Sequence, residues 1–234
     1  MRLLPIADNV YRLPLGSVNA YVLSTGQELV LIDTGSPGNA ERIVQAIEQG
    51  GFRRNDLKTI LLTHAHPDHA GSAAALKRAL PDAKLYASEA DVPIVSQRVK
   101  QRPMKASPGL LNKVLFRIII DGKEGLLDPT PVDGILKQDE VLHFAAGLRT
   151  IHTPGHSLGQ MAFLLPEHGG VLFAADAAAN VSGLGLNIGY EDLSVGIRTL
   201  EELGKLDFNI ACFGHGKPIM QHAAEQFRRK WPAH

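Results

Sequence analysis

The sequence has almost no cysteine, no excess of charge of either sign and no long apolar run. Cys212 is the only cysteine among 234 residues, which excludes an internal disulfide and is typical of a reducing compartment. Lysine and arginine number 24, and so do aspartate and glutamate, so bulk charge does not favour nucleic acid or an anionic membrane as a partner. No apolar run approaches the roughly 20 residues of a membrane span, and the first eight residues lack the apolar core of a signal peptide. We therefore expect a cytoplasmic protein.

The remaining composition is that of an ordinary globular domain. Hydrophobic residues make up 44% of the chain and charged residues 21%, and no repeat or linker is visible, so residues 1–234 are expected to form a single domain. Short β-branched or apolar runs predict strands at 10–13, 20–23, 28–32, 59–63, 85–87, 148–152, 161–165, 171–174 and 209–213. Apolar residues at helical spacing predict helices at 39–49, 70–80, 191–203 and 219–230.

Residues 91–138 differ from the rest of the chain. Five prolines interrupt them, and their pattern fits no sheet. Apolar residues at helical spacing predict one helix within them, with a face made of Leu110, Leu111, Val114, Leu115, Ile118 and Ile119. The same region is basic, because positions 98–123 hold one acid and seven cations: Arg98, Lys100, Arg102, Lys105, Lys113, Arg117 and Lys123.

The residues best suited to chemistry are histidines. The run His64-Ala-His66-Pro-Asp68-His69 follows the predicted strand at 59–63 and places four imidazole or carboxylate groups within six residues. Such groups bind zinc and also iron or manganese, and the lack of cysteine argues against a Cys-rich structural site. A polar loop with chance histidines is the alternative, and three further candidates at strand ends make it the weaker one.

These three later candidates each follow an apolar, strand-like run. His156 lies in Thr-Pro-Gly-His-Ser, Asp176 ends Phe-Ala-Ala-Asp, and His215 lies in Cys-Phe-Gly-His-Gly. Loops at strand ends are the places where a rigid sheet presents functional groups. Seven candidate ligands at such positions indicate one shared site rather than unrelated turns.

This pattern resembles that of the metallo-β-lactamase-fold hydrolase superfamily. The match consists of His-x-His-x-Asp-His at 64–69, the three later candidates in the family's order, and the turn Leu-Ile-Asp33-Thr-Gly35. The resemblance covers essentially the whole chain and implies an α/β fold, a four-layer αββα sandwich, with two divalent metal ions at one edge. It implies that one ion is held by His64, His66 and His156, the other by Asp68, His69 and His215, and that Asp176 bridges them. The expected metal is zinc, with iron or manganese as alternatives.

The chemistry that follows is metal-dependent hydrolysis. Two divalent ions about 3.5–4 Å apart lower the pKa of a shared water towards ~7, and the resulting hydroxide attacks a carbonyl or phosphoryl centre. Asp68 is the expected catalytic residue, because it can orient the hydroxide or carry a proton to the leaving group besides binding metal. Asp33 is expected to accept a hydrogen bond from a ligand imidazole, with an ordinary turn aspartate as the alternative.

The motifs leave several reactions open. The favoured substrate is a small-molecule ester, thioester or lactone; a phosphodiesterase or nuclease comes second, and a non-haem iron redox enzyme such as a persulfide dioxygenase third. The chain departs from glyoxalase II-like thioesterases in having few residues after His215, and from acyl-homoserine lactonases in having alanines rather than tyrosine at 177–179. Class B3-type β-lactamases lack the bridging aspartate, so Asp176 argues against β-lactamase activity. No subfamily and no substrate-binding residue is assigned.

The basic segment has two interpretations. In the superfamily, the corresponding region resembles a variable insertion that covers the active site, so residues 91–138 are expected to form a lid whose cations favour an anionic small-molecule substrate. The alternative is a solvated basic face whose apolar stripe packs on the core or on a second copy in a homodimer.

Overall fold

The structure of the protein, a computed structural model, describes residues 2–122 and 125–233. Over these ranges the strands are β1 Leu4–Ala7, β2 Val10–Pro14, β3 Asn19–Ser24, β4 Leu29–Ile32, β5 Leu57–Leu61, β6 Lys84–Ser88, β7 Lys105–Ala106, β8 Gly134–Leu136, β9 Val141–Leu142, β10 Leu148–His152, β11 Met161–Leu165, β12 Val171–Ala175, β13 Ala179–Asn180, β14 Leu184–Gly185, β15 Gly189–Tyr190 and β16 Ile210–Phe213. The α-helices are α1 Ala40–Gln49, α2 Pro67–Ala70, α3 Ala73–Ala79, α4 Val92–Gln97, α5 Leu110–Ile119, α6 Leu193–Gly204 and α7 Ala223–Lys230. No helix in the described ranges is long and apolar enough to cross a membrane.

Two large sheets organise the chain. The first has the strand order β1-β2-β3-β4-β5-β6-β8, and the second has the order β16-β12-β11-β10-β9. Pairing is parallel from β4 through β5 and β6 to β8, and between β12 and β16, whereas the other neighbours are antiparallel. Because parallel neighbours end at the same edge of a sheet, the residues after β4 and β5 lie together, as do those after β12 and β16.

The alternation of side chains along the strands produces four layers. In β4, Leu31 belongs to an apolar cluster with Ile43 of α1, whereas the next residue, Ile32, belongs to a cluster with Phe173 of the second sheet. Leu172, on the opposite face of the second sheet, belongs to a third cluster with Leu200 of α6. The order is therefore helix, sheet, sheet, helix, which confirms the predicted αββα sandwich.

The predicted helix at 70–80 is wrong in one respect, because the structure has α2 and α3 with a break between them. The turn after β4 lies against this break: a Cβ on Gly71 would be 2.5 Å from the backbone nitrogen of Pro37. Ser72 Oγ donates to the carbonyl of Ser36 at 2.7 Å and accepts a hydrogen bond from the amide of Asn39 at 2.8 Å. The turn thus fastens the chain where a continuous helix was expected.

Residues 91–138 contain more sheet than their pattern indicated. The expectation that they fit no sheet is wrong at β8, which pairs with β6 and extends the first sheet. The predicted helix is present as α5, but much of its apolar stripe faces outward, since Leu110, Leu111 and Ile118 are 80%, 70% and 67% exposed. β7, just before this helix, pairs with β15 and joins it to the body of the fold. That this segment is a lid, and that residues 1–234 form one domain, stay predictions.

Candidate metal centre

The ends of the central strands bring the candidate ligands to one place. The chain leaves β5 through Thr63 and passes directly into the His64–His69 motif, while Asp176 follows β12 and His215 comes two residues after β16. His156 lies in the connection between β10 and β11. All seven candidates are at the edge where these strands end, as the sequence predicted for a shared site.

The side chains form three overlapping groups in which one ligand atom from each residue lies within 4.8 Å of the others. The groups are His64, His66 and His156; His64, His69 and Asp176; and Asp68, His69 and His215. The first and the third correspond to the two ligand sets implied by the family resemblance. The second shares a histidine with each of them and therefore connects them.

Asp176 lies between the two sets. Its Oδ1 is 3.4 Å from His69 Nε2, and its Oδ2 is 3.4 Å from His156 Nε2 and 3.2 Å from His215 Nε2. The carboxylate is buried, so water does not separate it from these rings. It therefore lies within 3.4 Å of histidines from both sets.

Several buried polar atoms at this place have no hydrogen-bond partner among the described residues. They are Nε2 of His64, His66 and His69 and Oδ1 of Asp176. Each unpaired buried polar atom costs about 1–3 kcal/mol, so their accumulation at one point is unfavourable unless something else binds there. Divalent cations bind imidazole nitrogen and carboxylate oxygen, and the residues present therefore fit a metal centre.

Hydrogen bonds to the carboxylate of Asp33 orient the motif. Asp33 Oδ2 lies 2.8 Å from His69 Nδ1, so the ring can donate to it and keep Nε2 for a metal. The same carboxylate accepts hydrogen bonds from the amide and the hydroxyl of Thr63, and that hydroxyl lies 2.9 Å from His64 Nδ1. The structure thus places Asp33 where the sequence analysis expected it, against a candidate ligand.

Two backbone carbonyls orient the rings of the later histidines, His156 and His215. His156 Nδ1 donates to the carbonyl of Gly189, and His215 Nδ1 donates to the carbonyl of Ser17, each at 2.8 Å. Neither partner is visible in the sequence, because a backbone carbonyl has the same chemistry in every residue type.

Gly214 leaves the space that Asp176 occupies. A Cβ at this position would lie 2.0 Å from Asp176 Oδ1 and 2.6 Å from His69 Cε1. Any side chain here would therefore displace a candidate ligand. The glycine before His215 was visible in the sequence, but only the packing shows what it does.

Burial keeps three of the histidines neutral. It lowers the pKa of His64 and of His156, and it lowers the pKa of His66 to about 3. These three rings form the first group, and each neutral ring has one unprotonated nitrogen near pH 7; Nε2 of His156 lies 2.9 Å from Nδ1 of His66. A cation can bind them without displacing a proton.

Carboxylates act differently on the other two histidines. Burial disfavours the charged form of His69 and His215, but the negative charges of Asp176 and Asp68 outweigh it. The pKa of His69 is raised well above its usual value, and that of His215 is raised to about 10. The same pairing lowers the pKa of both carboxyls despite their burial. This part of the site, without a metal, holds protons.

The basic segment is only partly directed to solvent. Arg98, Lys105, Lys113 and Arg117 are exposed, whereas the guanidinium of Arg102 lies 3.2 Å from the buried carboxylate of Asp91. Lys123 lies outside the described residues. Arg102 is thus already paired within the protein, and the expectation that the segment favours an anionic substrate stays a prediction.

The family follows from comparison with known proteins. A family model described as the metallo-beta-lactamase superfamily matches residues 13–215, which is most of the chain. The protein belongs to this superfamily, as its residue pattern indicated. Members typically bind divalent metal ions, in agreement with the groups described above.

Two relatives show how far the similarity extends. The chain is 29% identical over 217 residues to the lactamase-like protein aptB of Emericella nidulans, and 27% identical over 234 residues to the atrochrysone carboxyl ACP thioesterase dmxR1 of Cryptosporiopsis sp.. These alignments cover 92% and 96% of the chain but only 56% and 59% of the relatives. The chain thus spans little more than half the length of either protein.

A solved structure shows the same fold. BJP-1, a subclass B3 metallo-beta-lactamase of Bradyrhizobium japonicum, matches with a TM-score of 0.73 at 21% identity, over 99% of this chain and 90% of that one. At this level of identity the similarity concerns the arrangement of helices and strands alone.

Proposed function

We propose that the protein is a metal-dependent hydrolase that cleaves a small-molecule thioester, or a related ester or lactone, at a centre for two divalent cations. The observation that carries this proposal is the set of buried, unpaired ring nitrogens and carboxylate oxygen within three overlapping ligand groups. Zinc is the metal that such donors favour, and iron and manganese are the alternatives.

In this proposal each set of side chains holds one cation. His64, His66 and His156 hold the first, Asp68, His69 and His215 hold the second, and Asp176 contacts both. When bound, the two cations supply Lewis-acid polarisation of the substrate oxygen and acidification of water at neutral pH. The hydrogen bonds of Asp33, Gly189 and Ser17 fix the ring orientations beforehand, so that little rearrangement is needed on binding.

Asp68 is proposed as the catalytic residue. Its side chain is 40% exposed, whereas that of Asp176 is 3% exposed, so Asp68 is the carboxylate of the site that substrate and water can reach. Its Oδ2 lies 3.3 Å from His215 Nε2, which holds it at the entrance of the site. From there it can take a proton from the attacking water and pass it to the leaving sulfur or oxygen.

The choice of thioester rests on the names of the relatives, several of which are atrochrysone carboxyl ACP thioesterases. An anionic substrate is supported by the exposed cations around α5, Lys113 and Arg117 among them. A phosphodiester is the second candidate substrate, because it too is anionic. The pairing of Arg102 with Asp91 leaves one cation fewer to attract it.

The experiment is a substrate panel on protein of known metal content. An S-acyl N-acetylcysteamine thioester, a p-nitrophenyl ester, an acyl lactone and bis-p-nitrophenyl phosphate are compared at equal concentration, after elemental analysis of protein purified without added metal. We expect the thioester to be cleaved fastest. Asp68→Asn should retain metal and lose most turnover, whereas Asp139→Asn, at the exposed ion pair with Arg149, should change neither.

Each alternative has its own outcome. Preferential cleavage of the phosphodiester would identify the protein as a phosphodiesterase or nuclease, the second hypothesis. Iron in the purified protein, together with oxygen consumption on a persulfide substrate, would assign it to the third. Full turnover by Asp68→Asn would contradict the role of that carboxylate while leaving the metal centre in place.

A further inference from the structure

Arg102 belongs to the basic segment at 98–123, but its guanidinium is directed into the protein. Its side chain is 30% exposed, and its Nη2 donates to the carbonyl of Ala90 at 2.5 Å. Its Nη1 donates to Asp91 Oδ1 at 3.2 Å and lies 4.0 Å from Glu191 Oε1. The guanidinium therefore sits between two carboxylates that belong to distant parts of the chain.

The first of these carboxylates contacts both loops that carry the first ligand set. Asp91 is buried, and this burial raises the pKa of its carboxyl, whereas Arg102 and the backbone of Ala65, between His64 and His66, act against the rise. On its other side Asp91 lies against the loop after His156, so closely that a Cβ on Gly159 would be 2.4 Å from its Cγ. The carboxylate of Asp91 thus contacts both the loop of His64 and His66 and the loop after His156.

The second carboxylate holds the His156 loop from the opposite direction. Glu191 Oε2 accepts a hydrogen bond from the amide of Leu158 at 2.9 Å, and the amide of Glu191 donates to the carbonyl of His156 at 3.1 Å. One bond is made to His156 itself and the other to the residue two positions after it. The position of Glu191 is therefore coupled to that of His156.

The residue next to Arg102 adds a direct connection. Gln101 Nε2 donates to the carbonyl of Ala65 at 2.7 Å and also approaches the carbonyl of Gly125 at 3.1 Å. The pair Gln101–Arg102 thus joins residues 91–138 to the backbone between two candidate ligands. All of these contacts are made between groups of the protein itself and do not involve a substrate.

We propose that Arg102 is a positioning residue for the cation held by His64, His66 and His156. It ties the loop of the first two histidines to the loop of the third through Asp91 and Glu191, and so sets the spacing of the three rings. This inference rests on the proposed metal-dependent function, and it gives the basic segment a role besides covering the site.

Loss of the guanidinium would leave a buried negative charge without its partner. Asp91 Oδ2 already has no hydrogen-bond partner among the described residues, and Arg102 makes the largest contribution to compensating the charge of the carboxylate. A buried charge stripped of its partner is strongly unfavourable, and the carboxylate must then move towards water or bind a proton. Either change releases its contact with the loop of His156.

The test compares metal binding in Arg102→Met, Arg102→Lys and the wild type, by chelator competition with Zn²⁺ and by the visible spectrum of the Co²⁺-loaded protein. We expect Arg102→Met to bind one of the two cations about tenfold or more weakly, in the range seen when groups that orient metal ligands are removed. Arg102→Lys should restore part of the affinity. The double variant Arg102→Met, Asp91→Asn should bind the cation no more weakly than the weaker-binding of the two single variants, because both substitutions act through one contact.

Arg54→Met is the matched control, since Arg54 also pairs with a carboxylate, Glu48, at 2.7 Å but on an exposed surface away from the site. It should bind both cations like the wild type. Unchanged affinity for both cations in Arg102→Met would overturn the inference. Equal loss of affinity for both cations, together with a lower melting temperature of the metal-free protein, would also overturn it, because that result indicates general damage to the fold. A wild-type protein that binds no cation would instead refute the proposed function itself.

Discussion

Asp33 Oδ2 lies 2.8 Å from Nδ1 of His69, although 36 residues separate the two in sequence. Both side chains are buried, and the parallel pairing of β4 with β5 brings them together, since Asp33 directly follows β4 and His69 lies in α2, the next helix after β5. The same carboxylate binds the amide of Thr63, at the start of the metal motif. Asp33 is therefore a support for the motif from the neighbouring strand.

Replacing this support should weaken metal binding without removing a ligand. Asp33→Asn keeps the shape of the side chain but loses the charge that faces His69, and we expect the affinity for one cation to fall about 10- to 100-fold. Chelator competition measures this directly. Asp139→Asn, at an exposed ion pair, is the control. Wild-type affinity in Asp33→Asn would mean that the carboxylate is only a turn residue.

Gly214→Ala should disrupt the centre by displacing Asp176. The added methyl would lie 2.0 Å from Oδ1 of that residue, and backbone at the end of a buried strand has little room to move. We expect the purified variant to fold but to lose at least one cation by elemental analysis. Gly185→Ala is the matched control, because the nearest atom to its Cβ, the carbonyl oxygen of Gly183, would be 3.9 Å away. Full metal content in Gly214→Ala would contradict the proposed bridging position of Asp176.

Metal binding should release protons from one part of the site only. His69 and His215 have raised pKa values, so they are protonated near pH 7 in the metal-free protein and must lose those protons to bind a cation. The three rings of the first set have lowered pKa values and are neutral already. The affinity for one cation should thus rise steeply from pH 6 to pH 8, while that for the other changes little.

Calorimetric titration of the metal-free protein in buffers of different ionisation enthalpy counts these protons. Binding of the weaker cation should release more protons than binding of the tighter one. If both cations bind with no proton release at pH 7, the assignment of His69 and His215 to a proton-holding set is incorrect.

The exposed cations of α5 should affect anionic substrates selectively. Lys113→Glu and Arg117→Glu replace attraction by repulsion at the outer face of the helix, so KM for an acyl-CoA thioester should rise several-fold at low salt. KM for the uncharged N-acetylcysteamine thioester of the same acyl group should stay the same. An unchanged KM for the anionic substrate would favour the alternative of a solvated face or a homodimer contact.

Much of this fold follows from the sequence because its inner strands are strongly patterned. In β4 each apolar residue alternates between two clusters, and the run at 57–61 is buried along most of its length, so both strands are visible without a structure. The seven candidate ligands are visible for a different reason, namely that metal chemistry restricts residue type and each lies at a strand end.

What the sequence could not predict depends on contacts between distant residues. The strand β8 is three residues long and follows Pro129 and Pro131, so its pairing with β6 decides its conformation rather than any local pattern. Gly189 and Ser17 contribute backbone carbonyls, which no residue type announces. In the sequence, Arg102 looks like the other cations of its segment, because a buried partner such as Asp91 cannot be recognised from spacing alone.

We propose that these side chains together hold two divalent cations on which thioester hydrolysis depends. The most direct measurement is a titration of chelator-treated, metal-free protein with Zn²⁺, following bound metal and thioester turnover in the same samples. We predict that the metal-free protein is inactive, that turnover returns as Zn²⁺ is added, and that both level off at two cations per chain. Turnover by the metal-free protein, or saturation without a second bound cation, would contradict the account.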